Sequence, residues 1–282
     1  MKKILTSALL GFASVALLAS SANAQSTITS VPYDVVLGFR ATSGTGAAEN
    51  VEVDLGSITQ FYNTTPGEII HLNSASQLAV ADLVSTYGSA WASDPNLFWG
   101  VAATNQATSD PTGRDPVFSL WATDPEITPG TLNTPWRTGS RAQQGTPASN
   151  IASLYTGING ATSTTNSSHT TILPTSQGDS WTAEDQKLIG TSFGYFNPTI
   201  DNAVTNVNGS GNSISDFYEL LTTNNINQPG TVLGKFELNT NGTFEFIAAT
   251  PVPEPSSMGL MGVGFLSLIG MVVLRRRRSV LA

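Results

Sequence analysis

Short apolar or alternating segments between residues 33 and 123 predict β-strands. Residues 33–39 (YDVVLGF) and 97–104 (LFWGVAAT) are nearly continuous apolar runs, which is typical of buried strands. In residues 50–55 (NVEVDL), three apolar side chains alternate with two carboxylates, so we expect the two kinds on opposite faces. Residues 117–123 (VFSLWAT) predict one further strand.

The clearest strand pair is predicted near residue 240. Residues 231–238 (TVLGKFEL) and 243–248 (TFEFIA) alternate on either side of an Asn-Gly turn, which is a strong local signal for a β-hairpin. We expect one face of this hairpin to be buried. Its apolar side chains are Phe236, Leu238, Phe244 and Phe246.

Helical spacing is present in residues 76–87 (SQLAVADLVSTY), which end before a glycine. Shorter helices are predicted at residues 150–155, 183–189 and 215–221. The remainder of residues 124–178 is rich in Pro, Gly, Ser and Thr and predicts a long loop. Strands with a few short helical inserts and no repeating β-α-β order predict a mainly β protein, an antiparallel β-sandwich.

The two ends of the chain depart from this pattern. Lys2 and Lys3 precede an apolar run, and Ala22, Asn23 and Ala24 form an A-x-A site. These are the parts of a secretory signal peptide, so we expect signal peptidase to remove residues 1–24 by cleaving between Ala24 and Gln25. A retained N-terminal helix is the alternative.

Residues 258–274 (MGLMGVGFLSLIGMVVL) contain no charge and predict a single transmembrane helix. Their number lies at the short end of the roughly 17–25 residues that cross a bilayer. Arginines next to a membrane-spanning helix stay on the cytoplasmic side, so we expect the chain before Met258 to lie on the far side of the inner membrane. The span and the charges alone favour a permanent tail anchor with an arginine stop. The arginines are Arg275, Arg276, Arg277 and Arg278.

Pro253, Glu254 and Pro255, followed by this apolar run and the arginines, resemble the tripartite PEP-CTERM sorting signal of Gram-negative bacteria. The resemblance implies that exosortase, a membrane-embedded cysteine transpeptidase, recognises the three residues as a processing motif. The two prolines favour an extended backbone, which suits access by such an enzyme. Residues 252–282 would then be the sorting segment, and the inner membrane would hold the chain only transiently.

The same resemblance implies a destination. Residues 25–251 would form an exported β-rich domain at the cell surface or in the extracellular matrix. Exopolysaccharide is the partner that this environment suggests, and the implied role is structural or one of interaction. The resemblance implies no activity for the domain itself.

Charge and cysteine content narrow the range of partners. Between residues 25 and 251, six basic residues oppose nineteen acidic ones, a net charge of −13 with histidine neutral. Such a surface repels phosphate backbones, so we expect no nucleic-acid partner. The chain has no cysteine, which excludes disulfides, thiolate metal sites and a cysteine nucleophile within it.

Catalytic motifs are sparse. The two histidines, His71 and His169, lie in an apolar extended stretch and in a Ser/Thr tract, and no G-x-S-x-G, H-E-x-x-H or P-loop motif is present. We therefore expect no enzyme, no cofactor and no metal site. Two alternatives stay open. Paired carboxylates about 5–9 Å apart would support glycoside hydrolysis, and residues 110–115 (DPTGRD) offer calcium ligands, although a plain turn is simpler.

The five tryptophans keep a carbohydrate-binding module open as another alternative. Trp99 and Trp121 lie in strand patterns and are expected in the core. Trp136, in the Pro-rich sequence NTPWRT, is the candidate for an exposed sugar contact. A binding module requires at least two exposed, coplanar tryptophans, whereas a hydrolase requires two carboxyls in one cleft, one with a raised pKa.

Overall fold

The computed structural model describes residues 28–72, 78, 80–106, 114–161, 165, 167–188 and 199–250, without the side chains of 186–188. The predicted signal peptide, PEP motif, apolar run and arginines lie outside these residues. Within the described ranges, no helix combines the length and the apolar character that crossing a membrane requires.

Ten strands of the described chain form one sheet in which every neighbouring pair is antiparallel. The strand order is β3-β10-β9-β8-β5-β4-β1-β2-β6, and β7 pairs with β4. The strands are β1 (Asp34–Ala41), β2 (Glu49–Ser57), β3 (Ile69–His71), β4 (Leu97–Thr104), β5 (Leu120–Pro125), β6 (Thr170–Pro174), β7 (Asn202–Ala203), β8 (Asn212–Leu220), β9 (Thr231–Asn239) and β10 (Phe244–Ala248).

Three α-helices accompany the sheet in the described residues: α1 (Val80–Tyr87), α2 (Arg141–Gly160) and α3 (Trp181–Leu188). Ser140 begins α2 with a capping box, because its hydroxyl accepts from the backbone of Gln143 while the Gln143 side chain accepts from the backbone of Ser140. Two short 3-10 helices, Ile58–Phe61 and Trp91–Ser93, lie in the connections after β2 and before β4.

The sheet curls until its two halves share one aromatic core. Trp99 on β4 contacts Phe244 on β10 with ring centroids 5.6 Å apart, although three strands separate β4 from β10 in the sheet. Phe61, in the 3-10 helix that follows β2, contacts Phe217, Phe236 and Phe246 edge to face. This curvature lets one continuous sheet enclose a core on its concave side.

The opposite, convex face is covered in part by α2 and α3. Ile151, Leu154 and Ile158 of α2 are buried in a second core cluster that includes apolar residues of β1, β4, β5 and β8. Trp181, the first residue of α3, lies over the register pair Gly38 and Gly100, where an added Cβ would overlap the indole ring at Gly38. Close approach of this ring therefore requires Gly38, whereas an added Cβ at Gly100 would first meet Asp201 Oδ1 and the Ile200 carbonyl.

The mainly β, antiparallel character predicted from the sequence is confirmed, and so is the hairpin, now β9 and β10. Its four predicted core side chains all lie in the concave core. The strands form one continuous sheet, however, rather than the two separate sheets of a sandwich.

Two local predictions are wrong. The long loop predicted across residues 124–178 contains α2, a helix of 20 residues, where only residues 150–155 were expected to be helical. Residues 215–221, predicted as a helix, lie mostly in strand β8, because β8 is a central strand between β5 and β9. The alternation predicted for residues 50–55 is confirmed, because Val51, Val53 and Leu55 lie in the concave core while the buried Glu52 contacts Trp181 on the convex face.

Phe236 provides a test of the aromatic core. Its ring stacks on Phe244 at 5.4 Å and contacts three further phenylalanines. We expect Phe236→Ala to lower the free energy of unfolding by about 3–5 kcal/mol, because it leaves a cavity in a packed core. Val84→Ala, at a position that is 40% exposed, serves as the control and should change it by less than about 0.5 kcal/mol. Urea unfolding measures both, and equal effects of the two variants would contradict this account of the core.

Candidate functional site

Two adjoining grooves lie on either side of residues 126–132, the loop that follows β5. The first has a volume of about 490 Å³ and is bounded by this loop, by β8 and β9, and by the end of β10 at Ala248 to Thr250. The second has a volume of about 450 Å³ and reaches Trp136 and Asn206. Glu126 and Leu132 line both grooves, so the 126–132 loop is the wall between them.

Three buried carboxyl groups lie at the base of the loop. Asp124 of β5 and Asp216 of β8 are direct register partners, so their side chains emerge on the same face of the sheet. Glu126 follows β5 by one residue. Each of the three is less than 7% exposed. Neighbouring strands thus bring together acidic residues that are 92 positions apart in the sequence, Asp124 and Asp216.

Hydrogen bonds to these carboxyls hold the loop in place. The Gly130 backbone N–H donates to Glu126 Oε2. The side chain of Asn133 donates to Asp124 Oδ1 at 3.2 Å, and its backbone N–H donates to Asp216 Oδ2 at 3.4 Å. The Asn206 side chain adds a donation to the Glu126 carbonyl at 2.8 Å. The loop is therefore attached at both ends to the three acids.

Glu126 and Asp216 both line the first groove and interact electrostatically. Burial, followed by the neighbouring charge of Glu126, raises the pKa of Asp216 to about 7. Burial also raises the pKa of Asp124 to about 6. Lys235 is the register partner of Asp216, but its ammonium pairs with Glu237 at 2.6 Å. The ammonium is therefore already paired, and the raised pKa favours the protonated carboxyl of Asp216 below about pH 7.

This chemistry defines what the grooves can accept. Carboxyl oxygens accept hydrogen bonds from hydroxyl or amide groups and attract cations, whereas anions are repelled. Among the described residues, no group of three His, Cys, Asp or Glu side chains is arranged to hold a metal ion.

Trp136, the predicted sugar contact, is only 7% exposed, so the expectation that it is an exposed aromatic platform is wrong. Its indole Nε1 donates to the Thr123 carbonyl on β5 at 2.9 Å, and its ring packs in the convex core. The other four tryptophans, Trp91, Trp99, Trp121 and Trp181, are buried as well. The pair of exposed, coplanar rings that a carbohydrate-binding module requires is therefore missing from the five tryptophans.

A second acidic cluster lies beneath α3 on the convex face. Arg40 pairs with Asp185 at 3.0 Å and with Asp201 at 2.5 Å. Glu52 Oε1 accepts from the Trp181 backbone N–H at 2.5 Å. Burial raises the pKa of Glu52 to about 8, and burial with the neighbouring Asp201 raises that of Asp185 to about 8. Because these groups are enclosed between α3 and the sheet, they fix the helix rather than line a groove.

The remaining sequence candidates fall in different places. His71 is on the rim, its side chain 70% exposed and 3.5 Å from Glu245. Asp115 accepts from the Tyr62 hydroxyl at 2.7 Å, while residues 110–113 of the calcium hypothesis lie outside the described residues. The processing motif, the arginines and the signal-cleavage site also lie outside them. The sequence analysis did not identify Glu126 and Asp216, because only the pairing of β5 with β8 brings them together.

Residues 251–278 match the PEP-CTERM protein-sorting motif. No curated protein and no solved structure matches the chain. The chain is therefore a PEP-CTERM motif-containing protein, as the sequence resemblance predicted. The motif indicates an exported protein that is sorted through a membrane-anchored signal, with exosortase as its processing partner.

The raised carboxyl pKa values predict that the fold is less stable at alkaline pH. The folded state binds more protons than the unfolded state wherever the folded pKa is higher, so the free energy of unfolding falls as pH rises from about 4 towards 8. Chemical unfolding at pH 5 and pH 8.5 measures this difference.

The Asp216→Asn variant tests how much of this pH dependence comes from the groove. Asparagine has nearly the same shape as aspartate and can accept from Asn133, but it carries no charge. At pH 8.5 we therefore expect the variant to have a free energy of unfolding ~1–3 kcal/mol higher than the wild type. At pH 5 it should have little effect. Glu49→Gln, on an exposed residue at the start of β2, is the matched control and should leave the profile unchanged. A stability that is independent of pH, or a variant that behaves as the control does, would refute this assignment.

Proposed function

We propose that the protein is a non-enzymatic component of the cell surface or extracellular matrix of a Gram-negative bacterium, with a structural or binding role among exopolysaccharides. The observation that carries this proposal is the match of residues 251–278 to the PEP-CTERM protein-sorting motif. A sorting motif assigns the chain a route and a destination, and the described domain is the part that is delivered.

The parts of the chain act in sequence in this proposal. Residues 1–24 direct export and are removed by signal peptidase. The apolar residues 258–274 then hold the chain in the inner membrane, with the arginines on the cytoplasmic side. Exosortase recognises Pro253, Glu254 and Pro255 and releases the β-rich domain from the membrane. The net charge of −13 between residues 25 and 251 keeps the released domain soluble.

Two features support a role without catalysis. The chain offers no cysteine nucleophile, and its two histidines lie apart, His71 on the edge strand β3 and His169 just before β6. The carboxyls of the groove are engaged in holding the 126–132 loop. Hydrolysis by Glu126 and Asp216 is the weaker candidate, because both residues are 2% exposed or less and a glycosidic oxygen would have little access to them.

Intact mass and location of the native product test the proposal. With exosortase present, we expect a product that has lost residues 1–24 and the segment after the PEP motif, recovered outside the inner membrane. Without exosortase, the C-terminal segment should be retained and the protein should stay in the inner-membrane fraction.

Replacing Pro253, Glu254 and Pro255 together by alanine should reproduce the exosortase-free result in cells that contain the enzyme. Pro251→Ala, a neighbouring proline outside the PEP triplet, is the control and should be processed as the wild type is. A cytosolic product with both apolar ends intact would overturn the proposed route. Sugar release by the purified domain that is lost in Asp216→Asn would overturn the non-enzymatic role.

A further inference from the structure

The 126–132 loop exposes apolar side chains. Ile127 is 84% exposed and Leu132 is 55% exposed, the two highest values among the large apolar residues of the described chain. Residues 128–131 between them (TPGT) carry no charge. Single apolar residues on a surface are ordinary, but a contiguous exposed group indicates contact with another apolar phase.

This group lies where the chain leaves the domain. Gly130 and Leu132 line the first groove together with Thr250, the last described residue. Ile247 lines the same groove, and its register partner on β3, Ile69, is 49% exposed. Exposed apolar side chains are therefore present on two elements that adjoin the groove at which the described chain ends, the 126–132 loop and β3. Lys235, which lines the same groove beside Ile247, is paired with Glu237 at 2.6 Å.

The sequence fixes how far this surface can be from a bilayer. Seven residues, 251–257, separate Thr250 from the apolar run that begins at Met258. A fully extended chain spans at most about 3.3–3.6 Å per residue, so this tether reaches about 25 Å. A surface held at that distance experiences a high effective concentration of its partner, and weak apolar contacts are sufficient to keep it there.

The acids beneath the loop do not oppose such a contact. Asp124, Glu126 and Asp216 are buried and accept hydrogen bonds from Gly130 in the loop and from Asn133 just after it. The exposed tip itself is uncharged. An acidic domain with an uncharged apolar tip suits a neutral lipid surface better than an anionic one, because no basic residue lies between Ile127 and Leu132.

We propose that, while the sorting segment is still attached, Ile127, Leu132 and Ile69 contact the outer surface of the inner membrane and fix the orientation of the domain above its own PEP motif. This inference rests on the proposed function, because it requires residues 258–274 to span the bilayer. The partner is the lipid interface, into which the side chains of Ile127 and Leu132 insert. The contact is lost on processing, when the tether no longer holds the domain at the membrane.

Site-specific fluorescence tests the contact. Because the chain has no cysteine, Ile127→Cys and Val84→Cys each provide a single labelling site for an environment-sensitive dye. Val84 is 40% exposed on α1, whose residue Val80 lies against Gly242 in the turn at the opposite end of β10 from Thr250. The full chain is reconstituted in vesicles of phosphatidylcholine and phosphatidylethanolamine.

We expect the dye at position 127 to shift to shorter wavelength and to be quenched at least twofold by a lipid-borne quencher. The dye at position 84 should show neither effect. Both proteins should sediment with the vesicles. A second label at Leu132→Cys should respond as position 127 does, and adding Ile127→Asp to that variant should abolish its response.

Each of the other possible outcomes contradicts a different part of the proposal. Failure of both proteins to sediment would remove the membrane span and with it the anchoring step of the proposed function. Sedimentation of both with identical dye signals would leave the span in place and overturn the membrane contact. A response at position 127 that arises only when exosortase is also in the vesicles would replace the lipid surface by a protein partner.

Discussion

Closure of the sheet by aromatic contacts is the constraint on which the rest of the structure depends. A ten-stranded antiparallel sheet would be an open surface unless its distant strands were brought together. Phe61, which follows β2, contacts Phe217, Phe236 and Phe246 on the distant strands β8, β9 and β10, with ring centroids between 4.8 and 6.1 Å apart. Edge-to-face contacts of this kind add specific geometry to apolar burial. With the concave side filled, the convex face is available for α2, α3 and the grooves.

A scarcity of basic residues shapes the convex face. Arg40 pairs with two carboxyls there, Asp185 and Asp201, whereas burial and the neighbouring charge of Glu126 raise the pKa of Asp216. Buried carboxyls without a cation are uncharged or are held by hydrogen bonds. The position of the 126–132 loop is therefore linked to protonation. The same loop presents apolar side chains outward, so one short segment connects the buried acids to the outer surface.

The sequence alone predicts what local patterns encode. The β9–β10 hairpin follows from an Asn-Gly turn between two alternating runs, and the sorting motif is recognisable because it is a linear peptide. Residues 215–220 carry no local signal that separates a strand from a short helix, because the pairing with β5 and β9 that makes them a strand is a tertiary contact. The signal for α2 was its capping box at Ser140 and Gln143, since its interior is rich in weak helix formers. The burial of Trp136 and the pairing of Asp124 with Asp216 depend on tertiary contacts that no local pattern contains.

The two edge strands of the sheet, β3 and β6, limit how neighbouring copies of the domain can associate. β3 offers only three residues for backbone pairing, and β6, with five, ends at Pro174, which has no N–H to donate. Unpaired border strands are templates on which neighbouring copies polymerise, and short or proline-terminated borders limit this. Copies of the domain at high local density are thus protected from fusing into fibrils through their sheets, and any network they enter would be built from side-chain contacts.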